Sequence, residues 1–157
     1  MRFILLLALL AFPAFCADDW GAVGFLIGNW GGTGSGQPGI GEGSFSLLPD
    51  LQGHVLIRRN VSDYQAIHHE DLMVIFHDGA ADKLRAEYFD NEGHVIRYTV
   101  TGTADRAVFL SDGAAGEIRY RLTYLNAGKD RVRITFEIAP PGKDFTVYSD
   151  GTVNRRI

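Results

Sequence analysis

Cysteine is almost absent from this chain of 157 residues, since Cys16 is its only cysteine. A disulfide framework needs at least two cysteines, and a thiolate metal site usually needs several, so we expect neither. The sequence also has no Gly-x-Ser-x-Gly elbow, no His-Glu-x-x-His pair and no phosphate-binding loop that leads into a helix. The usual signatures of serine hydrolases, zinc proteases and nucleotide-binding enzymes are therefore missing.

Excess positive charge is also lacking. The chain has 15 basic and 19 acidic residues, which gives a formal net charge of −4. Binding of nucleic acid usually needs a basic surface, so we expect no nucleic-acid partner.

A long hydrophobic run occurs only at the N-terminus, where "MRFILLLALLAFPAFCA" is followed by Asp18 and Asp19. This pattern predicts a signal peptide over residues 1–16, and it is too short for a membrane span. We therefore expect a secreted or periplasmic protein, with lipidation of Cys16 as the alternative to simple cleavage. No linker or repeat divides the remainder, so residues 17–157 are predicted to form one domain.

Helical periodicity is nearly absent after residue 28, and apolar residues alternate with polar ones instead. Short turn sequences such as "DNEG" and "NAGKD" separate the alternating segments and leave no room for crossover helices. The pattern predicts ten strands, at residues 29–37, 40–48, 53–62, 69–77, 83–89, 94–102, 105–111, 117–125, 130–138 and 145–153.

An all-β fold follows, because each strand has one apolar face and no long helix exists to cover it. We predict a ten-stranded antiparallel up-and-down closed β-barrel, with a short N-terminal helix in "DDWGAVGFLIG" capping one end. The glycines of residues 31–43 would allow the first two strands to coil closely at the seam.

One family resemblance rests on the start and end of the barrel. "GNW", Gly28 to Trp30, resembles the G-x-W signature of the lipocalin and calycin superfamily. The resemblance implies that an arginine of the last strand packs over Trp30, and Arg155 and Arg156 are the candidates for this structural closure.

Within that superfamily, "FLIGNWGGTGSG" is similar to the opening of nitrobindin-like heme barrels and of secreted bacterial lipocalin-like proteins. Nitrobindin-like barrels carry a heme-ligating histidine in their C-terminal part, and no histidine follows His94 here. We therefore expect no cofactor, and heme is kept only as an alternative.

The densest polar segment is "HHED", which contains His68, His69, Glu70 and Asp71. On a strand, His68 and Glu70 share one face while His69 and Asp71 share the other, so one metal ion would meet two of these side chains at most. Transition-metal sites usually need three or more protein ligands. These four residues are metal candidates only in the alternative of a metal-dependent enzyme.

The predicted interior is mainly apolar and aromatic. It contains tyrosines whose hydroxyl groups suit an amphipathic ligand, and Arg59, which shares a face with Val55 and Ile57, is predicted to meet an anionic group. The predicted ligand-binding residues are Arg59, Tyr88, Tyr98, Tyr120, Tyr124 and Phe136.

These features predict a barrel that binds a small hydrophobic or amphipathic molecule without catalysing a reaction. One alternative is a heme-binding or metal-dependent barrel enzyme that uses His54, His68, His69 or His94. A second alternative is a barrel with a filled interior that serves as a structural or partner-binding module.

Overall fold

The computed structural model describes residues 20–65, 67–114 and 116–157. Within these ranges ten antiparallel strands each pair with their neighbours in sequence, and β1 pairs with β10 to close the barrel. The strands are β1 (Gly28–Gly36), β2 (Gly39–Asp50), β3 (Val55–Tyr64), β4 (Ile67–Asp78), β5 (Lys83–Asp90), β6 (Val95–Thr103), β7 (Arg106–Ser111), β8 (Arg119–Asn126), β9 (Arg131–Ala139) and β10 (Thr146–Arg156). The predicted ten-stranded up-and-down barrel is confirmed, whereas the expected signal peptide lies outside the described residues.

The cap at the closed end is smaller than predicted. It is a single 3-10 turn, Gly21–Leu26, in place of a longer helix. Glycines at positions 21 and 24 disfavour a regular α-helix, and Gly21 has a φ of +46°. Val23 and Leu26 of the turn are buried, and the turn packs against β6 and β7.

Arg155 and Trp30 join the two ends of the chain at this closed end. They are paired residues of β10 and β1, and the Arg155 guanidinium lies 4.3 Å from the centre of the Trp30 ring. Arg155 also donates from Nη1 to the Ile27 carbonyl (2.8 Å) and from Nη2 to the Phe25 carbonyl (3.2 Å). Arg156 is exposed and makes no such contact with Trp30; its guanidinium instead lies over Gly31.

Gly28 provides the space for the Arg155 side chain. Its φ is +134°, and a Cβ at this position would lie 2.3 Å from Arg155 Nη1. A larger residue would therefore have to adopt an unfavourable backbone conformation and displace the guanidinium. The Arg155 side chain thus occupies the space that a side chain at position 28 would need.

Side chains fill the barrel near its closed end and leave its other half open. The packed half contains a continuous apolar core, in which Trp30 stacks on Phe45 and the Phe45 ring meets the edge of Tyr124. Neighbouring core residues such as Leu56 and Phe109 are also almost fully buried. The floor of the open half is therefore rigid, well-packed hydrocarbon.

Five glycines form one side of the open half, and we call them the glycine wall: Gly32, Gly34, Gly41, Gly43 and Gly151. A Cβ at any of the five would lie between 2.0 and 3.0 Å from a carbonyl oxygen of the adjacent strand. The backbone of β1 can approach β10 this closely, and that of β2 can approach β3, only because these side chains are missing. The wall therefore presents backbone atoms to the interior.

None of the helices in the described part of the chain is long and apolar enough to cross a membrane.

Candidate functional site

The candidate site is the cavity in the open half of the barrel. Its volume is about 490 Å³, within the range of small-molecule pockets, and it opens beside the β1–β2, β3–β4 and β5–β6 turns. Outside the glycine wall, its surface combines apolar side chains with a group of polar ones. The apolar and aromatic residues include Phe45, Ile96, Tyr98, Tyr120, Leu122, Ile134 and Phe136.

Three adjacent strands supply the polar side chains, which we call the polar cluster. It consists of Arg58 and Asn60 from β3, His69 and Asp71 from β4, and Tyr88 and Asp90 from β5. Alternate residues of a strand share a face, so each strand contributes two members two positions apart. The register places Asn60 opposite Asp71, which brings the β3 and β4 members together.

Arg58 and Asp71 form a buried ion pair at the inner end of the cluster. Arg58 Nη1 lies 2.5 Å from Asp71 Oδ1, and the two side chains are 9% and 4% exposed. Asn60 Nδ2 donates to Asp71 Oδ2 at 2.9 Å. Burial disfavours the charge of the guanidinium, but the proximity of Asp71 holds the pKa of Arg58 above its ordinary value. Arg58 therefore keeps its positive charge despite its burial.

Not every donor of Arg58 is used. Its Nε is buried and, among the described residues, has no hydrogen-bond partner, and the same is true of the Tyr124 hydroxyl. The guanidinium also lies 5.4 Å from the centre of the Phe45 ring, which itself stacks on Trp30. Aromatic contacts thus connect the inner end of the polar cluster to the closed end of the barrel.

Nearer the opening, His69 and Tyr88 extend the cluster. The Tyr88 hydroxyl lies 3.0 Å from His69 Nε2 and donates to Asp90 Oδ2 at 3.2 Å. The interaction with Asp71 raises the pKa of His69, although burial opposes it. Burial, followed by the charges of Asp71 and Asp90, raises the pKa of Tyr88. Tyr88 therefore remains a neutral hydroxyl at physiological pH.

Asp90 ends the cluster at the rim. Its Oδ2 lies 2.9 Å from His94 Nδ1, and its Oδ1 accepts from the backbone N–H of His94, also at 2.9 Å. Burial opposes ionisation of Asp90, but these hydrogen bonds hold its pKa below the ordinary value. Glu92 lies in the same turn, with its Oε1 3.7 Å from His69 Nδ1. The rim therefore carries negative charge.

The predicted inward orientation of Arg59 is wrong. Arg59 is exposed on the outer face of β3, and its neighbour Arg58 lines the cavity. The prediction assigned the more apolar face of the strand, with Val55 and Ile57, to the interior. In the open half of the barrel the inner face of β3 is polar, because it carries Arg58 and Asn60 of the polar cluster.

The predicted aromatic residues divide into two groups. Tyr88, Tyr98, Tyr120 and Phe136 line the cavity. Tyr124 lies outside the cavity lining, where its ring packs against Phe45 and Phe109 in the core. Burial raises the pKa of Tyr124, and its ring helps to form the floor of the cavity.

The four metal candidates of "HHED" lie on two faces of β4. His68 is exposed outside the barrel, between Asp63 (Nδ1–Oδ1 2.6 Å) and Glu70 (Nε2–Oε1 2.9 Å), whereas His69 and Asp71 line the cavity. Over residues 20–65, 67–114 and 116–157, no group of three or more His, Cys, Asp or Glu side chains is placed to hold a metal ion.

The donor set of the cavity does not fit a heme. The strands β7 to β10 contain no histidine, so the C-terminal ligand of nitrobindin-like barrels has no counterpart. His69 lines the cavity, but both of its ring nitrogens face polar groups, Tyr88 on one side and Glu92 on the other. Axial ligation by His69 would therefore break the polar cluster.

Sequence reasoning missed Arg58, Asn60 and Asp90 as site residues. The missed signal is the short turn between β3 and β4. It fixes a register in which Ser62, Asn60 and Arg58 share a face with His69, Asp71 and Met73. Once Met73 is assigned to the core, the other five residues must also face inward.

Comparison with solved structures supports the barrel fold. The crystal structure of Rv2717c from M. tuberculosis matches with a TM-score of 0.62 and 12% sequence identity, over 87% of this chain and 96% of that one. Identity this low shows the fold alone. The chain therefore has a lipocalin-type, calycin-like barrel fold.

Two weaker matches have TM-scores below 0.5 and carry no functional argument. One is a de novo designed fluorescence-activating β-barrel (TM-score 0.47, 13% identity, 86% of this chain and 98% of that one). The other is the S-type phycobiliprotein lyase from Guillardia theta (TM-score 0.49, 12% identity, 83% and 88%). No protein-family model and no curated protein sequence matches this chain.

Proposed function

We propose that this barrel binds a small, partly apolar molecule in its open half and does not transform it chemically. The observation that carries the proposal is the cavity itself, about 490 Å³ in volume, with a packed floor beneath it and an ion pair at its inner end. Sites for small molecules typically combine apolar walls with a few fixed polar groups in this way.

The apolar part of the ligand would lie against Ile96, Ile134 and Phe136, and its polar part would reach Arg58 and the nearby tyrosines. Each buried methylene group contributes about 0.8 kcal/mol before the cost of ordering the ligand. Polar groups held by hydrogen bonds, such as Asp71 and Tyr88, would fix the orientation of the ligand.

A secreted or periplasmic location and the narrower resemblance to secreted bacterial lipocalin-like proteins belong to this proposal. They are supported by the apolar run of residues 1–16 and by "FLIGNWGGTGSG". The alternative of a filled structural barrel agrees with the packed half of the molecule but not with the open half.

A tryptophan placed inside the cavity tests the proposal. Ile134→Trp fills the cavity, whereas Leu110→Trp adds the same side chain on the outer surface, where Leu110 is 42% exposed. We expect Ile134→Trp to weaken binding of the uncharged fluorescent probe N-phenylnaphthylamine by about tenfold or more, since the lost apolar contacts exceed 1.4 kcal/mol. Leu110→Trp should bind the probe like the unmodified chain.

Equal binding by both variants, or no binding by the unmodified chain, would contradict the proposal. The natural ligand is sought in parallel, by native mass spectrometry of protein purified without denaturation. A visible spectrum of the same sample separates a heme protein, with its Soret band, from a carrier of colourless molecules.

A further inference from the structure

We infer that the polar end of the ligand is an uncharged hydrogen-bond acceptor, such as an amide, carbonyl or hydroxyl oxygen, and not a carboxylate or phosphate. This inference rests on the proposed function and specifies the chemistry of the same site. It follows from the charges around the inner end of the cavity.

Arg58 is the one guanidinium or ammonium among the described residues that line the cavity, and its charge is already balanced. Asp71 lies 2.5 Å away and shares its burial. A ligand carboxylate placed beside Arg58 would compete with Asp71 for one cation, and two anions would then face each other in a poorly solvated space. That arrangement is costly, because a buried charge needs its own partner.

The rest of the cavity lining does not supply the positive charge that would offset this cost. Besides Arg58 it contains two histidines, His69 and His94, and five carboxylates, those of Glu42, Asp71, Asp90, Glu92 and Asp150. Protonation of both histidines would still leave this group with a net negative charge. At every pH where the carboxylates are ionised, the cavity therefore lacks the net positive charge that would attract an anion.

Donors for an uncharged acceptor are present. A guanidinium has five N–H groups, and Asp71 occupies Nη1 of Arg58. The hydroxyl of Tyr98 on β6 is a further donor, because Tyr98 also lines the cavity. Burial raises the pKa of Tyr98, so its hydroxyl keeps its proton. An amide or hydroxyl oxygen would accept hydrogen bonds here without adding charge.

An ammonium group is disfavoured at the inner end for a different reason. Each oxygen of Asp71 already accepts a hydrogen bond, from Arg58 or Asn60, and each oxygen of Asp90 accepts one from Tyr88 or the backbone of His94. A ligand cation at this depth would stand beside the guanidinium of Arg58, and the two positive charges would repel each other.

A matched series of ligands tests the inference on the full chain. Decanamide, decanol, decanoate and decylamine share one tail and differ in the head group, and each is titrated against N-phenylnaphthylamine at neutral pH. We expect decanamide and decanol to bind at least about tenfold more tightly than decanoate or decylamine, because the charged head groups lose their hydration without gaining a partner. Equal or tighter binding of decanoate or decylamine would overturn the inference.

Removal of one rim carboxylate tests the electrostatic cause. Glu92→Gln eliminates a charge from the cavity rim, and Glu87→Gln eliminates one from the outer face of the same sheet region as a matched control. We expect the preference for decanamide over decanoate to narrow by a factor of about two to three in Glu92→Gln and to stay unchanged in Glu87→Gln. An unchanged preference in both variants would refute the electrostatic explanation.

The two proposals fail in distinguishable ways. If no member of the series binds, and Ile134→Trp behaves like the unmodified chain, the binding function itself is wrong. If a charged member of the series binds more tightly than the uncharged ones while Ile134→Trp still weakens probe binding, only the inference on the head group is wrong.

Discussion

Arg155 lies directly opposite Trp30 in the pairing of β10 with β1, and its guanidinium stands over the indole ring at 4.3 Å. The same guanidinium donates to two carbonyls of the N-terminal segment, those of Phe25 and Ile27. One side chain therefore links the last strand, the first strand and the cap.

Replacement of Arg155 by lysine should weaken this closure. Lysine keeps the charge but loses the planar group that stacks on Trp30 and donates to two carbonyls at once. We expect Arg155→Lys to lower the free energy of unfolding by about 1–3 kcal/mol, measured by urea denaturation. Arg156→Lys, at an exposed position one residue away, should change it by less than about 0.5 kcal/mol. Equal losses in the two variants would show that Arg155 has no special role.

Substitution of Gly28 should also disturb the contact of Arg155 with Trp30, because Gly28 leaves room for the guanidinium. Gly28→Ala combines a φ of +134° with a Cβ only 2.3 Å from Arg155 Nη1. We expect a loss of about 1–3 kcal/mol in the free energy of unfolding. Gly79→Ala is the matched control, because a Cβ there meets no atom within 4 Å. The melting temperatures of the two variants test this expectation. Equal melting temperatures for Gly28→Ala and Gly79→Ala would contradict it.

Removal of Arg58 should lower the free energy of unfolding, because it leaves a buried carboxylate without its ion-pair partner. Arg58→Met leaves the Asp71 carboxylate, 4% exposed, without its guanidinium. We expect a loss of about 3–5 kcal/mol in the free energy of unfolding. Arg97→Met breaks a surface pair with Glu87, in which Arg97 is 72% exposed, and should cost less than about 1 kcal/mol. If Arg58→Met proved no worse than Arg97→Met, the pair would not be buried as described.

Stability should fall as pH rises above the ordinary histidine range. The pKa values of His68 and His69 are raised in the folded protein by neighbouring carboxylates, Asp63 for the first and Asp71 for the second. The stabilisation they provide is complete below the unfolded pKa of about 6.5, and it is lost as pH rises through the higher folded values. The pKa values of Asp90 and Glu137 are lowered in the folded protein. Their contribution to the free energy of unfolding is therefore present above their unfolded pKa values, and it is lost as pH falls through the folded ones.

The urea midpoint measured between pH values of about 6 and 8 tests this pH dependence. The His69→Gln variant should flatten the decline seen in the unmodified chain, because glutamine does not titrate. His54→Gln serves as the control, since within the described residues His54 has no ion-pair partner. A midpoint that rises over this interval would have the wrong sign for raised histidine pKa values.

Strand number and topology were predictable from the sequence, and strand ends to within three residues, because alternation and short turns are local signals. In β8 and β9 the apolar residues Tyr120, Leu122, Ile134 and Phe136 do face inward, as the pattern indicates. Alternation reports which residues share a face. It does not report which face is inside.

The inner face of β3 was therefore assigned wrongly. Hydrophobicity favoured the face with Val55 and Ile57, but the paired strand β4 places Asp71 and Met73 inside and brings Arg58 with them. A polar cavity wall depends on pairing between strands, which a single strand pattern does not contain. The extent of the cavity was likewise not predictable, since it depends on how far the core side chains reach from the closed end.

The glycine wall makes the two sides of the cavity unequal in their capacity to change. A side chain added at Gly32 or Gly41 would collide with a backbone carbonyl before it reached any ligand, so this side offers almost no viable substitutions. Cavity residues on the other strands, such as Ile96 of β6 and Ile134 and Phe136 of β9, already extend side chains into the cavity, so larger or smaller ones can replace them there. Divergence among relatives, or redesign in the laboratory, would therefore alter selectivity through these strands while the glycine wall acts as an unvarying template.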